Sequence, residues 1–192
     1  MGYWMLTDLF EEHQVPETLF HGGMGLFTYN GIRKAAYYAY WLLAKLGDTL
    51  IAQGDGWFLT RQGSEYQLML YHYRHYSDLY ASGEMFDMTE KDRYTVFGAY
   101  RRRAFDVLLS GVANGAWQVQ EYILNRDHGS AFDKWVEMGA QAVQSPEECQ
   151  LLRSLSQPML HRSVISVQDG TLHLQIELEP LEVRFLQFVH NG

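Results

Sequence analysis

Thr171-Leu172-His173-Leu174-Gln175-Ile176-Glu177-Leu178-Glu179 places an apolar residue at every second position and a polar one between. Successive side chains of an extended chain point to opposite faces, so this run reads as a β-strand with one face in a core and one in solvent. The same period recurs upstream. Tyr66, Leu68 and Leu70 alternate with Gln67, Met69 and Tyr71, and Phe105, Val107 and Leu109 form another row. Gln168-Asp169-Gly170-Thr171, just before the opening run, has the chemistry of a hairpin turn joining the last-but-one pair of strands. From Asp48 onward, several short alternating strands with Gly-containing turns predict a β-sandwich. One helix interrupts them: Ser145-Pro146-Glu147-Glu148 supplies a capping box with Pro at the first helical position, Leu151, Leu152 and Leu155 give an apolar stripe, and Pro158 ends it.

The first part of the chain follows a different period. Residues 3–10 are an apolar, aromatic run suited to a buried strand, and the polar stretch 11–17 with its Pro is a loop. Asn30 is placed to cap a helix in which Ile32, Ala35, Ala36, Ala39, Leu42, Leu43 and Leu46 repeat at helical spacing before Gly47 stops it. Strand, loop and helix make one βα unit, which cannot cover both faces of its strand without neighbours. The fold class expected is therefore mainly β: a sandwich over residues 48–192, with one inserted helix, preceded by a βα unit over residues 1–47 that has the pattern of the end of something larger.

Composition sets bounds on partners. The 192 residues carry 15 Lys and Arg against 23 Asp and Glu, a formal charge of -8, which repels nucleic acid and anionic membrane surfaces. No stretch approaches the roughly 18 apolar residues of a membrane span. A single cysteine, Cys149, forms no intrachain disulfide, and residues 1–10 lack the basic start of a signal peptide, so a cytoplasmic location is expected. Aromatic residues reach 15%, which suits either sugar-stacking surfaces or the inner faces of a sandwich.

Glu11 and Glu12 are adjacent acids after an apolar strand, where a barrel enzyme presents polar groups to its substrate. Neighbours in extended chain point to opposite sides, so they do not form the carboxylate pair, about 5 Å apart, that flanks one bond in a retaining glycosidase. His21-Gly22-Gly23 has the small residues of an oxyanion loop, but no G-x-S-x-G accompanies it, and a loop packed tightly on a strand is the better reading. His72 and His75 lie on opposite faces of a strand without a third ligand and read as surface histidines; no metal site is expected. Asp127, His128 and Ser130 share one short loop, whereas a catalytic triad is defined by geometry.

Three stretches taken together resemble the C-terminal part of family-39 glycoside hydrolases, the group of β-xylosidases and α-L-iduronidase. They are Tyr3-Trp4-Met5-Leu6-Thr7-Asp8-Leu9-Phe10-Glu11-Glu12; Phe20-His21-Gly22-Gly23-Met24-Gly25-Leu26 with Asn30-Gly31-Ile32 and Ala36-Tyr37-Tyr38-Ala39-Tyr40; and Leu124-Asn125-Arg126-Asp127-His128-Gly129-Ser130 with Trp135 and Met138-Gly139. Ala35 stands where the family usually has Pro, Met24 where it has Phe, and Asn125 where it often has Asp. The resemblance implies the last βα unit of a (β/α)8 barrel joined to an accessory sandwich. It also implies a retaining β-xylosidase-like activity on xylosides or xylo-oligosaccharides without a cofactor, with Trp4, Glu11 and Glu12 as substrate-binding residues. Both catalytic glutamates of that family lie on earlier barrel strands, so none is assigned within this sequence, and an upstream barrel is the expected partner.

Two other readings follow from the same stretches. Family-39-like regions are also joined to helix-turn-helix regulators, which implies a non-catalytic sugar-sensing module, although no helix-turn-helix is legible here; a free-standing carbohydrate-binding sandwich is the third. An incomplete barrel unit exposes strand edges and apolar helix surface, which predicts disorder, repacking on the sandwich or a homo-oligomer contact.

Overall fold

The computed structural model describes residues 5–9, 18–84, 88–98, 101–142 and 144–191. Its strands are β1 (Thr49–Gly54), β2 (Trp57–Gln62), β3 (Glu65–Tyr71), β4 (Arg103–Ser110), β5 (Gly115–Leu124), β6 (Met159–Val167), β7 (Thr171–Leu178) and β8 (Val183–Asn191). They form a six-stranded sheet in the order β1-β2-β3-β8-β5-β6 and a two-stranded sheet, β4-β7. The fold is mainly β and sandwich-like, as the alternating runs predict.

The register explains why those runs are legible. In the β4–β7 ladder Phe105 lies opposite Ile176, Val107 opposite Leu174 and Leu109 opposite Leu172, so the two apolar rows are cross-strand neighbours on one face. Leu172, Ile176 and Leu178 are buried while His173, Gln175 and Glu177 are exposed. This face joins Leu68, Leu70, Trp117, Val119, Leu186 and Phe188 in one core. β3 departs from half-buried alternation because both of its faces are covered: Gln67 and Met69 are buried as well as Leu68 and Leu70. The Thr60 hydroxyl donates to the Gln67 side-chain Oε1 at 3.2 Å. That same hydroxyl accepts from the Gly47 N–H at 2.8 Å. A Cβ at Gly47 would lie 2.5 Å from the Arg61 carbonyl, so glycine there permits the close approach rather than merely ending a helix.

The turn at Gln168-Asp169-Gly170 corrects the hairpin expectation. β6 belongs to the six-stranded sheet and β7 to the two-stranded one, so the turn carries the chain from one sheet to the other. Its Gly170 carbonyl accepts from Gly111 and Val112 instead of from a β6 partner.

The chain divides into two compact units that interleave in sequence. The first comprises Met1–Trp41, His75–Gly98 and Leu124–Pro158; the second comprises Leu42–Arg74, Ala99–Ile123 and Met159–Gly192 and holds the strands almost entirely. Within the first unit the helices are α1 (Ala35–Leu43), α2 (Asp78–Ala81), α3 (Phe132–Glu137) and α4 (Pro146–Leu155), with a 3-10 stretch at Glu90–Phe97; α1 ends two residues into the second unit. Leu19, Phe20, Ile32, Phe132, Trp135 and Leu152 form its core. No helix among the described residues is long and apolar enough to cross a membrane.

Two helix expectations are refined. The capping box of α4 is present: Ser145 N–H donates to Glu148 at 2.7 Å and Glu148 N–H to the Ser145 hydroxyl at 3.2 Å. Of its stripe only Leu152 is fully buried; Leu151 and Leu155 are 43% and 39% exposed, and Cys149 takes the second inward position. Asn30 does not cap α1. Gly31 adopts a φ of 72°, Ile32 N–H donates to the Thr28 hydroxyl at 3.1 Å, and Phe27 pairs antiparallel with Arg33, so the backbone of residues 27–33 is spent on a tight turn. The helix starts at Ala35. That is the first helical position, where the missing N–H of a Pro would cost nothing.

Candidate functional site

Residues 5–9 run beside residues 26–27 through three backbone bonds, among them Asp8 N–H to Phe27 O at 2.9 Å, and Thr7 forms a parallel bridge with Phe27. The apolar-in pattern expected of a buried strand is reversed: Leu6 and Leu9 are exposed and Asp8 is buried. Asp8 is the organising group. Its side chain has no exposure, and the Lys34 ammonium lies 3.0 Å from both of its oxygens. Lys34 also donates to the Gly23 carbonyl at 2.6 Å, and Gly25 N–H donates to Asp8 Oδ1 at 2.8 Å. His21 Nε2 stands 3.6 Å from Asp8 Oδ2. A buried carboxylate is tolerated because it is paired and hydrogen-bonded in this way.

Gly23, in the His21-Gly22-Gly23 stretch, and Gly25 after it serve this approach. A Cβ at Gly25 would lie 2.4 Å from the Asp8 nitrogen and 2.5 Å from the Thr7 carbonyl carbon, and one at Gly23 would lie 2.3 Å from the His21 ring. The stretch is a loop clamped on residues 5–9: Gly25 is small enough to meet the backbone there, and Gly23 to clear the His21 ring and the Asp8 carboxylate. Beside it, Gly22, Gly23, Lys34, Arg93, Ser130 and Phe132 line a cavity of ≈ 230 Å³. Arg93 donates to the Phe20 carbonyl at 2.7 Å and lies over the Phe132 ring at 5.4 Å.

Trp4, Glu11 and Glu12 lie outside the described residues. The Asp127, His128 and Ser130 trio is structural: Asn125 Oδ1 accepts from the N–H groups of Asp127 and His128, Asp127 is exposed, and the Ser130 hydroxyl accepts from Phe132 N–H at 3.4 Å. Arg126 in the same loop makes a two-pronged pair with Asp133 and stacks 3.7 Å over Tyr94. His72 is buried, which corrects the surface expectation; its backbone bonds to Glu182 and Leu181 at the end of β3. Among the described residues no three His, Cys, Asp or Glu side chains converge as a metal site. Asp8 and Lys34 are the pair that the sequence reading left without a role. The available signal was a single charge inside the apolar run Leu6-Thr7-Asp8-Leu9, which demands a buried partner.

Comparison with known proteins gives one family. The model of "Glycosyl hydrolases family 39" matches residues 1–173. A β-xylosidase of Geobacillus stearothermophilus is 28% identical over 188 residues, covering 97% of this chain and 33% of that protein. An uncharacterised HTH-type transcriptional regulator of Staphylococcus aureus is 23% identical over 182 residues, 93% of this chain and 22% of that protein. The crystal structure of a monomeric β-xylosidase from Caulobacter crescentus CB15 superposes with a TM-score of 0.82 at 20% identity, over 100% of this chain and 38% of that one. The chain thus spans about a third or less of the length of the curated relatives it matches.

Proposed function

Because the chain belongs to glycosyl hydrolase family 39, we propose that it is the C-terminal part of a retaining β-xylosidase-like hydrolase acting on xylosides or xylo-oligosaccharides. Residues 1–47 are read as the terminal βα unit of its barrel and 48–192 as its accessory sandwich. Trp4 offers an apolar platform to the C–H face of a sugar, and Glu11 or Glu12 accepts hydrogen bonds from its hydroxyls, stronger for being charge-assisted. The acid/base and nucleophile carboxylates come from barrel strands beyond this sequence, and a glycosyl-enzyme intermediate forms on the nucleophile.

The observation that carries this reading is the match of the family-39 model over residues 1–173. Within that stretch the Asp8–Lys34 pair holds residues 5–9 against the 21–27 loop. Asp8 itself has its acceptors filled and serves as a positioning residue. The test is an aryl β-xyloside assay on the 192-residue chain. No release of p-nitrophenol is expected, and turnover would show that the catalytic carboxylates lie within it.

A second reading, a sugar-sensing part of a regulator, is favoured by the similarity to the HTH-type protein. It predicts xylo-oligosaccharide binding without hydrolysis even when the remainder of the natural polypeptide is present.

A further inference from the structure

The cavity of ≈ 230 Å³ in the first unit has two cations on its wall, Lys34 and Arg93, and they are in different states. Lys34 is fully committed: an ammonium has three N–H groups, and Asp8 Oδ1, Asp8 Oδ2 and the Gly23 carbonyl lie 3.0, 3.0 and 2.6 Å away. The charge of Asp8 is thereby cancelled. Arg93 is half-buried, and among the described residues no carboxylate pairs with it; its hydrogen bond is Nη1 to the Phe20 carbonyl at 2.7 Å. A guanidinium carries five N–H donors in one rigid plane, so most of that fork is unspent. Two contacts fix where it points. The bond to Phe20 holds one nitrogen and the flat face covers the Phe132 ring at 5.4 Å, so the plane cannot swing without losing one of them. Open space adjoins it: a Cβ at Gly22, whose φ is 88°, would meet nothing nearer than Arg93 Nη1 at 4.0 Å. Ser130 lines the same cavity, and its Oγ accepts from Phe132 N–H at 3.4 Å, which leaves its O–H to donate.

We infer that this cavity binds a small organic acid, with its carboxylate paired to Arg93 and a further oxygen accepting from Ser130. The chemistry of the wall selects that class. With Asp8 and Lys34 cancelling, the Arg93 charge is the one left over, and a single carboxylate balances it. A planar carboxylate also matches two parallel N–H groups of the fork, whereas a phosphate monoester brings close to two negative charges against one cation. Phe20 and Phe132 supply apolar wall for the carbon skeleton. The volume lies below the range of about 300–1,000 Å³ that drug-sized ligands occupy, so the acid is of monosaccharide size or smaller and an oligosaccharide does not fit.

The test titrates the isotope-labelled 192-residue chain with glucuronate, glucose, acetate and inorganic phosphate while its backbone amide signals are followed by NMR. Glucuronate and glucose differ by a carboxylate in place of a hydroxymethyl group, so the pair isolates the charge. Glucuronate is expected to shift the Gly22, Gly23 and Ser130 amides saturably, and glucose to bind about tenfold more weakly or worse, the worth of a hydrogen bond to a charged group. Arg93→Gln should weaken glucuronate by a similar factor, and Arg93→Lys, which keeps the charge and loses the fork, should restore only part of it. Acetate that saturates the same amides where glucuronate does not keeps the site and narrows the acid to one smaller than a sugar. The proposal is overturned if neither acid binds, if glucose matches glucuronate, if the shifts map away from these amides, or if phosphate displaces the acids at lower concentration than they bind. Should Arg93→Gln fail to fold for want of the Phe20 contact, the preference for glucuronate over glucose and the mapped amides of the parent chain decide by themselves. A folded Arg93→Gln that binds glucuronate as the parent does overturns it as well.

Discussion

The sandwich and the segment around Asp8 are ordered by opposite means. In the β4–β7 ladder, Phe105, Val107 and Leu109 face Ile176, Leu174 and Leu172, and each contributes the same kind of non-directional burial. Around Asp8, one carboxylate with no exposure gathers an ammonium, a backbone N–H and an imidazole drawn from three points of a loop. The difference teaches that the first region degrades by increments when side chains are trimmed, whereas the second fails when one charge is removed.

The largest effect that separates them is expected from Asp8→Asn. The substitution keeps volume and one acceptor for Gly25 N–H but leaves the half-buried Lys34 ammonium unpaired, and losing one partner of a buried pair costs about 3–5 kcal/mol. Denaturant unfolding, followed by the fluorescence of the buried Trp135 in the first unit, should show that shift. A midpoint unchanged within error means the clamp organises nothing. Leu186→Ala is the matching cut in the sandwich. Leu186 is 3% exposed in the core that includes Trp117, and a Leu-to-Ala cavity costs about 3 kcal/mol there. Read through Trp117, the transition of the second unit should fall while the Trp135 signal moves less. Equal displacement of both signals by both substitutions would erase the distinction.

Legibility in the sequence follows the same divide. The alternation of residues 171–179, the row at 105, 107 and 109 and the capping box at Ser145 are local patterns, and local geometry dictates them, so they are visible without partners. The both-face burial of β3 is not visible in that way, because it depends on what the fold lays against Gln67 and Met69. Nor is the crossing at Gly170, since a turn sequence states that the chain reverses and is silent about which sheet receives it. Asn30 misled because cap chemistry and turn chemistry are the same chemistry, and Gly31 with Thr28 decided for the turn. Asp8 and Lys34 lie 26 residues apart, and no period connects them. Asp8 stood inside one family-like stretch and Lys34 between two parts of another, but only the structure gives them a physical task. The residues assigned to sugar, Trp4, Glu11 and Glu12, fall outside the described residues and rest on resemblance.

The smallest expected effect tests the polar margin of the first unit. Tyr29 packs against the core of Phe20, Ile32 and Trp135, and its hydroxyl donates to the Ala142 carbonyl at 2.9 Å. Burial, and secondarily the charge of the Cys149 thiolate, pushes its phenol above its usual value of about 10. The folded state therefore holds the Tyr29 proton more tightly than the unfolded chain does. Its contribution is fully present below about pH 10 and is lost as pH rises through the folded value, where the unfolded chain has already released the proton. Tyr29→Phe should cost about 0.5–1.5 kcal/mol at neutral pH, the worth of one hydrogen bond, and should flatten the decline in stability above pH 10 relative to the parent. The other tyrosines titrate in both proteins, so the difference between the two slopes isolates Tyr29. Cys149→Ala should reproduce only part of that flattening, because burial is the larger cause and the substitution leaves most of it in place.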